Sequence, residues 1–122
     1  MELHLIRHGQ TNWNEERRAQ GQSDSVLTEL GIEQAKALGI RISAVPFDAL
    51  YCSSSTRTRQ TVAHAFPAWE KPVTYLDSLR EIKMGEWEGR LYAELESESP
   101  ESFQHFWHEP HKFDVPGAET FF

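Results

Sequence analysis

The sequence predicts an α/β fold organised around a mostly parallel sheet. Three observations predict it: a short apolar run at Leu3, Leu5 and Ile6, a stretch from about residue 28 to 43 with apolar residues at helical spacing, and a second apolar run at Ala49, Leu50, Tyr51 and Cys52. Near-continuous apolar runs of strand length mark strands buried on both faces of a parallel sheet. Strand, helix and strand in succession imply two parallel strands joined by a right-handed crossover. With 122 residues, 39% hydrophobic and 25% charged, the chain has the balance of a soluble globular protein and is read as a single domain over residues 1–122.

Composition also narrows function. The formal net charge is −7, which argues against a nucleic-acid partner, since such a surface needs an excess of cations. No run approaches membrane-spanning length, and Met1-Glu2-Leu3-His4 opens without the basic segment and apolar core of a signal peptide. No membrane partner and a cytoplasmic location are therefore expected. Cys52, the single cysteine, cannot form an internal disulfide and reads as a small buried hydrophobe. Positive charge is concentrated at Arg7, Arg17, Arg18, Arg57, Arg59 and Arg80. Arginine suits forked binding of phosphate or carboxylate, so a small anionic ligand is expected.

The elements follow in order. The first strand, Leu3 to Ile6, stops at Arg7, His8 and Gly9, which fall at its carboxyl end, the edge of an α/β sheet where ligands bind. Residues 8–27 read as a long polar loop, and loops of that length in compact domains are usually functional. Thr28 is a good N-cap with Glu29 in the first turn, and Gly31, Ala35, Leu38 and Ile42 keep helical spacing until Val45-Pro46-Phe47 breaks it. After the second strand, Ser53-Ser54-Ser55-Thr56 opens a helix that runs to Pro67. Its hydroxyls can cap the helix, its free amides favour an anion, and Arg57 in the first turn would face that ligand.

Val73, Tyr75 and Leu76 form a third strand, leading into Leu79-Arg80-Glu81-Ile82-Lys83-Met84-Gly85-Glu86-Trp87-Glu88-Gly89, a glycine- and carboxylate-rich loop suited to surround a site. Residues 91–108 read as helix interrupted at Pro100, with Phe103, Phe106 and Trp107 as an aromatic face. His105, His108 and His111 invite a metal reading, but Pro110 breaks their helical geometry and Glu109 is not placed as in His-Glu-x-x-His, so no metal is expected.

Arg7-His8-Gly9, the segment Ser53 to Thr61 with Arg57 and Gln60-Thr61, and Leu79-Arg80-Glu81 followed by Gly85 and Trp87-Glu88-Gly89 together resemble the histidine phosphatase superfamily. More narrowly they resemble its phosphoglycerate-mutase-like branch. The likeness continues through Thr11-Asn12-Trp13-Asn14, Gln20-Gly21, Leu27-Thr28 and Pro116-Gly117-Ala118-Glu119-Thr120. It implies a three-layer α/β/α arrangement and a phosphohistidine mechanism without metal or organic cofactor. His8 would attack phosphorus, and Glu81 would protonate the leaving alcohol and then deprotonate water. Arg7, Arg57 and Asn14 would hold the phosphoryl oxygens. Gln20, Gly21, Arg59 and Met84 are further candidates for phosphate or substrate binding.

The resemblance also implies a second catalytic histidine in a Ser/Thr-His-Gly segment after a further strand, and residues 1–122 contain no such segment. Against that pattern they read as the N-terminal two-thirds of a domain, incomplete at the C-terminus and short of a strand that lies between the first two in the family's sheet. Such a piece is expected to be marginally stable, weakly active and prone to homo-oligomerise. For the complete protein the expected activity is hydrolysis of small phosphorylated metabolites. Phosphoglycerate mutation is the alternative, disfavoured because Met84 and Tyr92 stand where mutases carry basic and tyrosine residues for a second anion, and His111 and Lys112 where they carry paired arginines. A non-catalytic phospho-ligand module is a third reading.

Overall fold

A computed structural model describes residues 1–121. Its helices are α1 (Asn12–Glu16), α2 (Glu29–Ile42), α3 (Thr56–Ala65), α4 (Tyr92–Glu98) and α5 (Pro100–His108), and its strands β1 (Tyr51–Ser53) and β2 (Thr74–Leu76). Contacts divide the chain into two units, one made of Met1–Asn12 and Ser25–Arg80, the other of Trp13–Asp24 and the segment from Glu81 onward.

In the first unit, Thr28 begins α2 as its sequence context predicts. Its hydroxyl accepts the Gly31 amide at 3.1 Å, satisfying one of the amides that a helix start leaves without a carbonyl. β1 and β2 pair in parallel, with Tyr51 opposite Thr74, Cys52 opposite Tyr75 and Ser53 opposite Leu76, and α3 is the crossover between them. Cys52 is buried, and burial pushes its thiol up, against smaller opposing effects of Thr58 and Arg59. It is a packing residue here rather than a nucleophile.

Three expectations are corrected in this part of the chain. Leu3, Leu5 and Ile6 do not form a doubly buried strand: they belong to no ladder among the described residues and are 75%, 88% and 40% exposed. A strand exists only by pairing its backbone, so an apolar run without a partner stays outside the sheet. The loop expected over residues 8–27 contains α1, anchored where Asn12 donates its amide to the Val26 carbonyl and accepts the Val26 amide on Oδ1, at 3.0 and 3.1 Å. Finally, Ser55 occupies the N-cap of α3 without a side-chain cap bond. Thr58, one turn in, instead turns its hydroxyl back to the Ser53 and Ser55 carbonyls at 2.8 and 2.7 Å.

The second unit is organised around Trp87, which is 2% exposed and packs with Phe113, Leu95, Met84, Val115 and Ala19. Its ring meets Phe113 nearly edge-on at a centroid distance of 5.2 Å, and Phe103 and Phe106 of α5 close over it. Of the aromatic face read at the end of the sequence, Phe103 and Phe106 are half-buried against this core and Trp107 remains 52% exposed. Pro100 ends the preceding helical run and starts α5, where its missing amide costs no helical bond. The polar segment before Gly21 is stitched to this core by backbone bonds: Ala19 donates to Arg90, Gly89 to Ala19 and Tyr92 to Arg17, at 2.8–3.0 Å.

Among the described residues no helix is long and apolar enough to cross a membrane. His105 and His108 lie in α5 and His111 in the following 3-10 turn, and no group of three or more His, Cys, Asp and Glu gathers to hold a metal among the described residues.

Candidate active site

His8 follows the apolar N-terminal run and is half-buried. Its Nδ1 lies 2.7 Å from the carbonyl oxygen of Gly9. A carbonyl can only accept, so Nδ1 carries the proton and the ring's lone pair sits on Nε2. The imidazole is thereby held in the tautomer that makes Nε2 the basic, nucleophilic nitrogen.

The backbone around His8 is fixed on two sides. The Gly9 amide donates to Thr61 Oγ1 at 3.1 Å, and Thr61 passes its own proton to the Arg57 carbonyl at 2.8 Å. One buried hydroxyl thus joins the histidine segment to the turn of α3 that bears Arg57. On the other side Gln10 packs on the start of α2, its carbonyl accepting the Thr28 amide at 3.0 Å and its amide donating to Gln34 Oε1 at 2.9 Å. This approach requires glycine at position 9, because a Cβ there would come within 2.4 Å of the Gly31 carbonyl oxygen.

Arg57 is 4% exposed although it carries a charge, and a guanidinium is rarely buried so deeply without a specific purpose. Arg7 is exposed. Arg59 has a different setting: its guanidinium carbon lies 3.8 Å from the centre of the Tyr75 ring and its Nε donates to the Ser54 carbonyl at 3.0 Å. That stacking holds the side chain on the surface of β2. Within this unit, then, His8 and Arg57 share one framework through Thr61, Arg7 directly precedes His8, and Arg59 is held by its own contacts.

The remaining candidates belong to the second unit. Asn14 is in α1, and Gln20 is in the turn that follows it, its carbonyl accepting the Ser23 amide at 3.0 Å. Gly21 is buried with φ of +52°, a left-handed conformation that favours glycine, and a Cβ there would come within 2.3 Å of Glu88 Oε1. Glu81 is exposed and its Oε1 accepts the Ile82 amide at 2.9 Å. Met84 is 3% exposed, and its side chain belongs to the core around Trp87. Burial, and then the charge of Glu81, push the Tyr92 phenol up, so it stays a neutral hydroxyl.

Glu88 was singled out by the sequence only as part of a motif, yet it organises this loop. Its Oε1 accepts the Gln22 and Met84 amides at 2.9 and 3.1 Å, and its Oε2 accepts the Ser23 hydroxyl. Burial alone would raise this carboxyl. The hydrogen bonds from Ser23, Gln22 and Met84, with the charge of Lys83, outweigh burial and hold it below the usual carboxylate range. Thr61 was likewise visible in the sequence only as part of the Gln60-Thr61 motif, and nothing local reveals its bond to Gly9, 52 residues away.

Two outcomes follow from these bonds. Thr61→Val removes the hydroxyl and leaves a buried amide unsatisfied, so it is expected to destabilise the protein by about 1–3 kcal/mol, whereas Thr61→Ser stays near wild type. Urea unfolding of both variants checks this. For Glu88 the folded-state pKa is depressed, so its contribution is present above the ordinary carboxylate pKa and disappears as pH falls through the lower, folded value. Wild type is accordingly expected to lose more stability on acidification in that window than Glu88→Gln, as measured by unfolding midpoints across the acid range.

The family model described as histidine phosphatase superfamily (branch 1) matches residues 3–122. Among similar proteins, phosphoserine phosphatase 1 of Hydrogenobacter thermophilus is 36% identical over 98% of this chain and 57% of its own length. The probable phosphoglycerate mutase GpmB of Salmonella choleraesuis is 39% identical over 80% of this chain and 46% of its own. The solved structure of Bacillus stearothermophilus YhfR superposes with a TM-score of 0.88 at 41% identity, over 93% of this chain and 56% of that one. The chain thus spans about half the length of the relatives it matches. With its motifs, its parallel α/β sheet and this match in agreement, the chain belongs to the histidine phosphatase superfamily, branch 1.

Proposed function

We propose that the protein hydrolyses small phosphomonoesters through a phosphohistidine formed on His8. The observation that carries this reading is the 2.7 Å bond from His8 Nδ1 to the Gly9 carbonyl, which leaves the lone pair on Nε2. In the first step Nε2 attacks phosphorus and the P–O ester bond breaks. Glu81 gives its proton to the departing alkoxide. In the second step water attacks the phosphoryl group, Glu81 takes the water's proton, the P–N bond breaks and its electron pair returns to Nε2, releasing inorganic phosphate. Splitting one displacement into two lowers each barrier.

Arg7, Arg57 and Asn14 are assigned to the phosphoryl oxygens, because this chemistry depends on positioning and charge stabilisation. Gln20, Gly21 and Arg59 are assigned to substrate binding around them. The burial of Met84 in the core favours a supporting role for that residue over direct contact. No metal or organic cofactor enters this scheme. Hydrolysis is favoured over mutation because the relative named a phosphoserine phosphatase matches 98% of the chain, against 80% for the probable mutase. Phosphate transfer between positions of glycerate remains the second reading, carried by that mutase relative. The chain is further read as one cytoplasmic domain that self-associates, in keeping with its free Cys52 and the exposure of Leu3 and Leu5.

Incubation of the full chain with a phosphorus-labelled phosphomonoester is expected to give an alkali-stable, acid-labile phosphoprotein. His8→Ala should abolish the label and lower turnover by at least about 10³-fold, as expected when a covalent nucleophile is lost. Label persisting in His8→Ala would reject the assignment.

A further inference from the structure

The loop that carries Glu81 is held by side chains distant in sequence but belonging to the same unit. Gln22 Nε2 has two protons and spends one on the Glu81 carbonyl, at 3.2 Å, and the other on Glu119 Oε2, at 3.3 Å. The same Glu119 oxygen accepts the Lys83 amide at 2.7 Å. The Glu119 amide donates to the Lys83 carbonyl at 2.8 Å, and Met84 stands opposite Ala118 in an antiparallel bridge. Glu119 therefore grips Lys83 through both of its backbone groups. Glu88 completes the arrangement by accepting the amides of Gln22 and Met84.

The backbone from the Glu81 carbonyl through Met84 is consequently pinned, while the Glu81 side chain itself is exposed. A proton donor must come within hydrogen-bond reach of the leaving oxygen, and a displacement of about 1 Å can cost as much as 10²-fold. A long, exposed glutamate cannot be confined by its own packing. Its range is set by the peptide it stands on. Charge-assisted bonds to a carboxylate are among the stronger ones available for fixing that peptide.

We propose that Glu119 is a positioning residue for Glu81, acting through the Lys83 amide and the Gln22 carboxamide. The proposal rests on the reading of Glu81 as proton donor. It separates Glu119 from an ordinary loop staple by what its loss affects: protonation of a poor leaving group, and little else.

The experiment compares kcat/KM of the full chain on phenyl phosphate and p-nitrophenyl phosphate. The two substrates have similar shape, and kcat/KM reports events only through departure of the leaving group. Phenolate leaves poorly without a proton, whereas p-nitrophenolate needs little help. Glu119→Ala is expected to lower kcat/KM on phenyl phosphate about tenfold and on p-nitrophenyl phosphate by less than about twofold. Glu119→Gln keeps an oxygen acceptor for the Lys83 amide and should recover most of the loss. Glu81→Gln is the reference and should show the same selectivity, more strongly.

Equal losses on both substrates in Glu119→Ala, or none, with Glu81→Gln selective, would overturn the positioning role alone. A Glu81→Gln variant that is not selective would overturn the proton-donor reading and this proposal with it. Should Glu119→Ala unfold, as judged by circular dichroism, Gln22→Ala takes its place: selectivity there supports the proposal and its absence overturns it.

Discussion

The hydroxyl of Thr61 accepts the Gly9 amide at 3.1 Å and gives its own proton to the Arg57 carbonyl at 2.8 Å. Because the threonine is 5% exposed, neither bond has water as an easy substitute, and both segments must keep their places for the hydroxyl to be satisfied. The chain on one side of it leads directly to His8 and the chain on the other to Arg57. The first unit depends on this bridge in the sense that the segment of His8 and the buried Arg57 are located by one atom. The glycine at position 9 and the contact of Gln10 with the start of α2 hold the same segment closely against α2 on its other side.

The second unit solves a different problem. Glu81 sits on a loop, and loops are held only weakly by their own residues. The aromatic core around Trp87 supplies a rigid base, and the carboxylates of Glu88 and Glu119 bind loop amides directly. These acidic side chains act as acceptors for backbone donors that no strand or helix would satisfy. The depressed titration of Glu88 is the electrostatic record of that role.

Much of this was legible from local signals. Thr28 with its helical periodicity marks α2, the breaks at Pro67 and Pro100 bound α3 and α5, and the apolar runs before Ser53 and at Tyr75 place the paired strands. Arg57 falls where the end of β1 meets the start of α3, as the sequence order of those elements suggests. What was not legible depended on partners elsewhere in the chain. Leu3 to Ile6 has strand composition but no ladder among the described residues. Ser55 has capping chemistry, yet Thr58 takes the nearby carbonyls. Met84 looked like a substrate residue because of its place in a motif, but its side chain packs into the core with Trp87. Gln22 and Glu119, 97 residues apart, carry no local sign that they meet.

In the proposed mechanism the bond between His8 Nδ1 and the Gly9 carbonyl directs phosphorylation to Nε2. Heteronuclear NMR of the trapped phosphoenzyme, correlating phosphorus with the ring protons of the modified histidine, tests this most directly. Coupling through Nε2 of His8 is the predicted result. Phosphorus on Nδ1, or on any other residue, would contradict the account.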